Sequence, residues 1–169
     1  MNINRKRPFL MLAMLFMVIS TSALGYVYNG FYVRTPNCIK VQLTPNATRY
    51  SEFTRFVEWN YPTSPLGFMI TEDTTDSDIR IIKFEYADGD IYGKCIHHTD
   101  TRSTLYFYEK WEDLDWTKRV EVVNHEIGHS IGLAHCQSDK VSISIMREYG
   151  FCNSVGPLTD DVTGINNKY

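Results

Sequence analysis

Residues 125–136 read HEIGHSIGLAHC, and no other stretch restricts the chain so tightly. His125 and His129 are four apart, so at about 100° per residue they lie roughly 40° from each other on one helix face. Two imidazoles at that spacing can hold one Zn²⁺. Gly132 follows where a glycine can take the left-handed conformation that ends a helix and turns the chain. That turn can bring His135 back to the same ion. Three neutral imidazoles leave the fourth zinc position for water, the arrangement of a catalytic site rather than a closed structural one. Glu126 cannot share the radial direction of His125, so it is placed beside the metal. There a carboxylate can take a proton from zinc-bound water and deliver it to a leaving amine. Surface histidines on an amphipathic helix meet a bare HExxH by chance easily, but the full HExxHxxGxxH is far harder to meet that way.

The chain has 169 residues, 43% hydrophobic and 14% aromatic, enough apolar surface for one core and too much for wholesale disorder. A formal charge of −3 provides no basic footprint for phosphates, which excludes nucleic acid as a partner class. Residues 1–25 have the pattern of an export signal: Arg5, Lys6 and Arg7, an uncharged run from Phe9 to Ile19, then small residues ending in Ala23 and Gly25. Extended through Val27, the run approaches the lower length limit of about 17 residues for a membrane span, so a retained signal anchor is the alternative. Loss of the segment removes three cations and no acid, taking the charge from −3 to −6. The expected location is secreted or in the cell envelope or periplasm, or membrane-anchored with the domain outside the cytoplasm.

No repeat or low-complexity linker divides residues 26–169, which are expected to form one domain and a monomer. Strands are expected at 38–43, 66–70, 79–84, 92–98 and 104–109, the last two as an antiparallel pair because their connection is short. A first helix, capped by Asn46, should bury Phe53, Phe56, Val57 and Trp59 and end before Pro62. The metal-binding helix should begin near Asp115 or Thr117 with Val120, Val123, Ile127 and Ile131 as its core stripe. A short C-terminal helix over 159–168 would take Thr159 as its cap. The expected fold is α/β, with a mixed, mostly parallel five-stranded sheet, two main helices and a C-terminal helix.

At HEIGHSIGLAH the sequence resembles the metzincin clan of zinc endopeptidases, and within it the matrixin (matrix metalloproteinase-like) catalytic domain. The clan's consensus is matched at His125, Glu126, His129, Gly132 and His135, and its Met-turn by Ser144, Ile145 and Met146. The ending PLTDDVTGINNKY resembles the closing helix of matrixins at Asp160, Asp161, Gly164 and Tyr169. The resemblance implies a zincin-like fold with the zinc cleft below an antiparallel edge strand, one catalytic Zn²⁺, Met146 supporting the site and Asp161 bracing the Met-turn. It implies hydrolysis of peptide bonds in extracellular or cell-envelope proteins, with a peptide or protein substrate.

The chain also departs from that family. Matrixins commonly have a proline-containing wall after the methionine, where this chain has Arg147, Glu148 and Tyr149. Tyr149 is a candidate substrate or oxyanion contact, with pocket lining the plainer reading. The loop between the third and fourth strands, 85–93, is too short for the family's second zinc and calcium loop. His97 and His98 are adjacent, point to opposite faces of a strand and are read as edge-strand or cleft residues. Residues 71–78 (TEDTTDSD) could recruit Ca²⁺ but lack the spacing of a dedicated loop.

Export makes disulfides plausible, and Cys136 with Cys152 and Cys38 with Cys95 is one of three pairings. Only residues 26–37 separate the export segment from Cys38, so activity without a long propeptide is expected. Two other functions compete with an endopeptidase: a catalytically weak, zinc-stabilised peptide- or protein-binding module, and a zinc amidase acting on cell-wall peptides. Glu126 favours turnover, because a binding module has no chemical need for a carboxylate beside the ligands.

Overall fold

The computed structural model describes residues 25–99 and 101–169, so the expected export signal or anchor over 1–25 lies, apart from Gly25, outside the described residues. Five strands form one sheet: β1 (Ile39–Leu43), β2 (Phe68–Ile70), β3 (Ile79–Lys83), β4 (Gly93–Thr99) and β5 (Arg102–Phe107), in the order β2-β1-β3-β5-β4. All neighbours are parallel except β4, which runs antiparallel to β5 with Gly93 opposite Phe107. This is the expected topology, with β4 at one edge.

The apolar strand residues Ile39, Val41, Ile79, Ile81, Leu105 and Phe107 are almost fully buried. Each such side chain contributes about 1.5–3 kcal/mol of hydrophobic stabilisation. Residues Ser51–Trp59 form a 3₁₀ helix rather than an α-helix. Three residues per turn place Phe53, Phe56 and Trp59 on a single ridge, and all three are buried. Val57 falls off that ridge and is exposed, which corrects its expected place in the core. Phe53 stacks on Trp111 with ring centroids 4.7 Å apart.

Two expected caps are also corrected. Asn46 has helical dihedrals (φ −70°, ψ −32°), whereas an N-cap needs extended ones, and a separate turn at Ala47–Arg49 intervenes before the 3₁₀ helix. The C-terminal helix, α2 (Thr159–Lys168), has Leu158 at its cap position, and the Asp161 carboxylate accepts the Leu158 N–H at 2.8 Å. The metal-binding helix, α1 (Trp116–Ser130), begins as expected, with the Asp115 carboxylate accepting the Lys118 N–H at 3.0 Å. Val120, Val123, Ile127 and Ile131 are all buried. Among the described residues no helix is long and apolar enough to cross a membrane.

The four cysteines are thiols in this structure, so neither expected bridge is formed. For Cys38 and Cys95 the reason is topological. Cys38 immediately precedes β1, Cys95 lies in β4, and β3 and β5 stand between them. Three inter-strand spacings of about 4.8 Å far exceed the reach of a disulfide. Cys136 and Cys152 lie near each other instead: the Cys152 thiol donates to the Ser144 carbonyl at 3.0 Å, and the Cys136 thiol contacts the Ser144 side chain.

Candidate metal centre

α1 presents His125 and His129 from its last two turns, and the chain reverses at Gly132, where φ is +98°. A β-carbon there would run into the Phe31 carbonyl and the Lys168 side chain, so both conformation and space select glycine. The reversal brings His135 beside the other two rings. The centroids of the three imidazoles are 4.7, 4.9 and 5.3 Å apart, and one ligand nitrogen from each lies within 4.8 Å of the others.

Two of the rings are held from behind. His125 Nδ1 lies 2.8 Å from the Ile145 carbonyl, and His129 Nδ1 lies 2.8 Å from the Leu133 carbonyl. A carbonyl only accepts, so Nδ1 carries the proton and Nε2 keeps a free lone pair. Burial pushes His125 down to about 4, with the Ile145 carbonyl opposing and His135 adding to the shift. Burial and the neighbouring His125 push His129 down to about 3. Both rings are therefore neutral at neutral pH, the form that ligates a metal. Three imidazoles with an open side fit Zn²⁺. They are the one group of three or more His, Cys, Asp or Glu among the described residues placed to hold an ion.

Three of the four acids in 71–78 have other partners. Asp76 pairs with Lys40, Asp78 accepts the Lys40 N–H, and Asp73 accepts from Thr75. His97 and His98 bond to Ser103 and Thr104 of β5.

Below the histidines lies the Met-turn. Met146 is buried, and its carbonyl accepts the Cys136 N–H at 2.7 Å, which fixes the turn to the segment just after His135. Asp161 reaches this turn from α2: Oδ1 accepts the Ser144 hydroxyl at 2.5 Å, and Oδ2 accepts the Ile145 N–H at 2.9 Å. Gly128 was not singled out in the sequence, yet a β-carbon there would collide with the Met146 thioether. A glycine inside a helix costs about 1 kcal/mol relative to alanine, and that cost was the available signal of a packing need.

Glu126 lies on the cleft side of α1 and is 6% exposed. Burial raises its carboxyl to about 8, while a hydrogen bond from the Cys95 N–H pulls the other way. Gly93 lets β4 come this close, since a β-carbon there would stand 3.0 Å from Glu126 Cγ. A cleft of about 390 Å³ opens beside these groups, lined by Tyr92, Gly93, Glu121, Val122, His125 and Glu126 and, across from them, by Arg147 to Phe151. Glu121, also unremarked in the sequence, accepts the Cys152 and Ser154 N–H groups at 2.6 and 3.0 Å and tethers that far wall. Tyr149 stands on the rim, 81% exposed, with Glu148 bonded to its hydroxyl.

An edge strand overhanging a two-histidine helix, a third histidine beyond a glycine turn and a methionine turn beneath together define a metzincin-type catalytic domain. The chain belongs to the matrixin family, whose sequence model matches residues 38–169. Among solved structures it is similar to a chain of the GM1-bound form of the ECX AB5 holotoxin, with 17% identity and a TM-score of 0.61 over 84% of this chain and 83% of that one. At that identity the likeness is one of fold. No curated protein matches the chain significantly.

Proposed function

We propose that this chain is a zinc-dependent endopeptidase acting outside the cytoplasm on peptide or protein substrates. The observation that carries this reading is the convergence of three imidazole nitrogens within 4.8 Å beside the buried Glu126 in an open cleft. His125, His129 and His135 would hold Zn²⁺, which when bound polarises a carbonyl and makes water more acidic. An extended peptide can pair with the free edge of β4 and lie across the cleft mouth. Burial alone would keep the Glu126 carboxyl protonated, but a bound cation beside it favours the carboxylate. In that form Glu126 would take the proton of the attacking water and return it to the leaving amine. Met146 and Asp161 keep the floor rigid, so the histidine side chains do not have to reorganise. Tyr149, on the rim, is placed to touch substrate rather than the metal.

Export is supported by the basic and apolar pattern of residues 1–25 and by the family. In an oxidising compartment Cys136 and Cys152, both against Ser144, are the pair suited to form a bridge. The function is tested by incubating purified protein with a diverse peptide library, with and without a chelator, and sequencing the products by mass. Cleavage that the chelator abolishes is expected. Zinc-loaded protein that captures peptides without cutting any would overturn the reading in favour of a binding module.

A further inference from the structure

Residues 27–29 run alongside the loop between His129 and His135. The Val27 carbonyl accepts the Ala134 N–H at 2.7 Å, the Asn29 N–H donates to the Gly132 carbonyl at 3.1 Å, and Tyr28 forms an antiparallel bridge with Leu133. Residues 27–29 thus add a short strand to 132–134, the stretch that separates His129 from His135. The other side of this strap is anchored on α2, where the Tyr28 hydroxyl donates to the Gly164 carbonyl at 2.8 Å. The Lys168 ammonium lies 3.6 Å from the centre of the Tyr32 ring.

The Asn29 side chain has only one workable orientation. Its Oδ1 accepts the Phe31 N–H at 2.9 Å, which turns Nδ2 toward the histidine loop. There Nδ2 lies 2.9 Å from the His129 carbonyl, 3.2 Å from the Leu133 carbonyl and 3.2 Å from His97 Nε2. The Leu133 carbonyl is the same one that holds His129 Nδ1. One amide therefore joins both ends of the 129–133 turn and touches the acceptor that orients a candidate ligand.

We propose that Asn29 is a positioning residue for the metal, holding the Leu133 carbonyl and with it the His129 ring so that the bound ion is released slowly. This rests on the zinc reading proposed above. With the amide gone, the Leu133 carbonyl has one donor fewer, the turn loses a tie between its ends, and His129 Nε2 can swing out of line. Asn29 is exposed, so water replaces part of the lost bonding.

The test is the rate at which zinc leaves the loaded protein in the presence of excess chromophoric chelator. Asn29→Ala is expected to release zinc about tenfold faster, the low end of the range for groups that orient metal ligands. Asn29→Asp keeps the acceptor for the Phe31 N–H but sets a carboxylate against two carbonyls, and should release at least as fast. Tyr28→Phe, which loses an anchor on the same strap, should lower the thermal midpoint and change release by less than about twofold. Should Asn29→Ala fail to fold, Asn29→Ser retains an acceptor for the Phe31 N–H and is expected to accelerate release severalfold. Parent-like release from the Asn29 variants would overturn the proposal, as would equal acceleration by Tyr28→Phe. Parent protein that takes up no zinc would instead refute the metal site itself.

Discussion

Asp161 and His125 hold opposite ends of the Ile145 backbone: Asp161 Oδ2 accepts the Ile145 N–H at 2.9 Å, and the Ile145 carbonyl faces His125 Nδ1 at 2.8 Å. One residue thereby couples α2 to the first histidine of the metal centre. Asp161 also accepts the Ser144 hydroxyl and the Leu158 N–H, so three donors converge on a carboxylate that is only 1% exposed.

Asp161→Asn turns one acceptor oxygen into a donor facing those groups. It should cost about 3 kcal/mol, the scale for buried groups left unsatisfied beside a charged acceptor site. Urea unfolding of parent and variant measures the cost. Faster zinc release from the variant would report the same loss at His125.

Gly128→Ala should destabilise, although an exposed helical glycine replaced by alanine typically gains about 1 kcal/mol. The new methyl group meets Met146 from one side and Trp59 from another. Overpacking of this kind costs about 1–3 kcal/mol. Adding Met146→Ala to Gly128→Ala should recover part of the loss, and the coupling is read from thermal midpoints of the single and double variants.

Lys83, 1% exposed, donates to the Phe84 carbonyl at 2.6 Å and pairs with Glu112 at 2.5 Å. Glu112→Gln leaves this ammonium without a counter-ion and should cost about 2 kcal/mol, below the value for a fully buried pair because Glu112 is partly exposed. Replacing both partners, Lys83→Met with Glu112→Gln, should be nearly neutral, since it removes both charges and keeps the volume.

The same pair sets a pH dependence. Burial raises the Glu112 carboxyl, but the bond and charge of Lys83 and the Tyr50 hydroxyl together outweigh it, and the net shift is downward from 4.5. As pH falls the unfolded chain binds the proton first. The stability from this group is therefore complete above about 4.5 and is lost as pH drops through the lower, folded value. Urea midpoints between pH 7 and 3 should fall less steeply in Glu112→Gln than in the parent.

Much of the site was legible because its chemistry is periodic. The four-residue step from His125 to His129, the glycine turn and the PLTDD ending each fix a local geometry, and Asp161 of that ending bonds to the Ile145 N–H. The sheet was legible for a similar reason, since short β-branched runs bury β1, β3 and β5. The 66–70 run, expected to be buried as well, forms the edge strand β2, which leaves Met69 and Ile70 exposed. What escaped depended on tertiary placement. The 3₁₀ winding that exposes Val57 differs from an α-helix by only about half a residue per turn, a difference the apolar spacing does not resolve. The separation of Cys38 from Cys95 follows from strand order, which cysteine count cannot encode. Asn29 has no motif around it and matters only because its strap crosses the histidine loop.

The central claim is that Glu126 moves a proton for an ion held by His125, His129 and His135. Its most direct test measures zinc content and peptide cleavage side by side in the parent and in Glu126→Gln. The account predicts one zinc per chain in both, with cleavage in the variant reduced by a factor of about 10² or more, since an amide cannot cycle a proton. Cleavage by Glu126→Gln at close to the parent rate would contradict it.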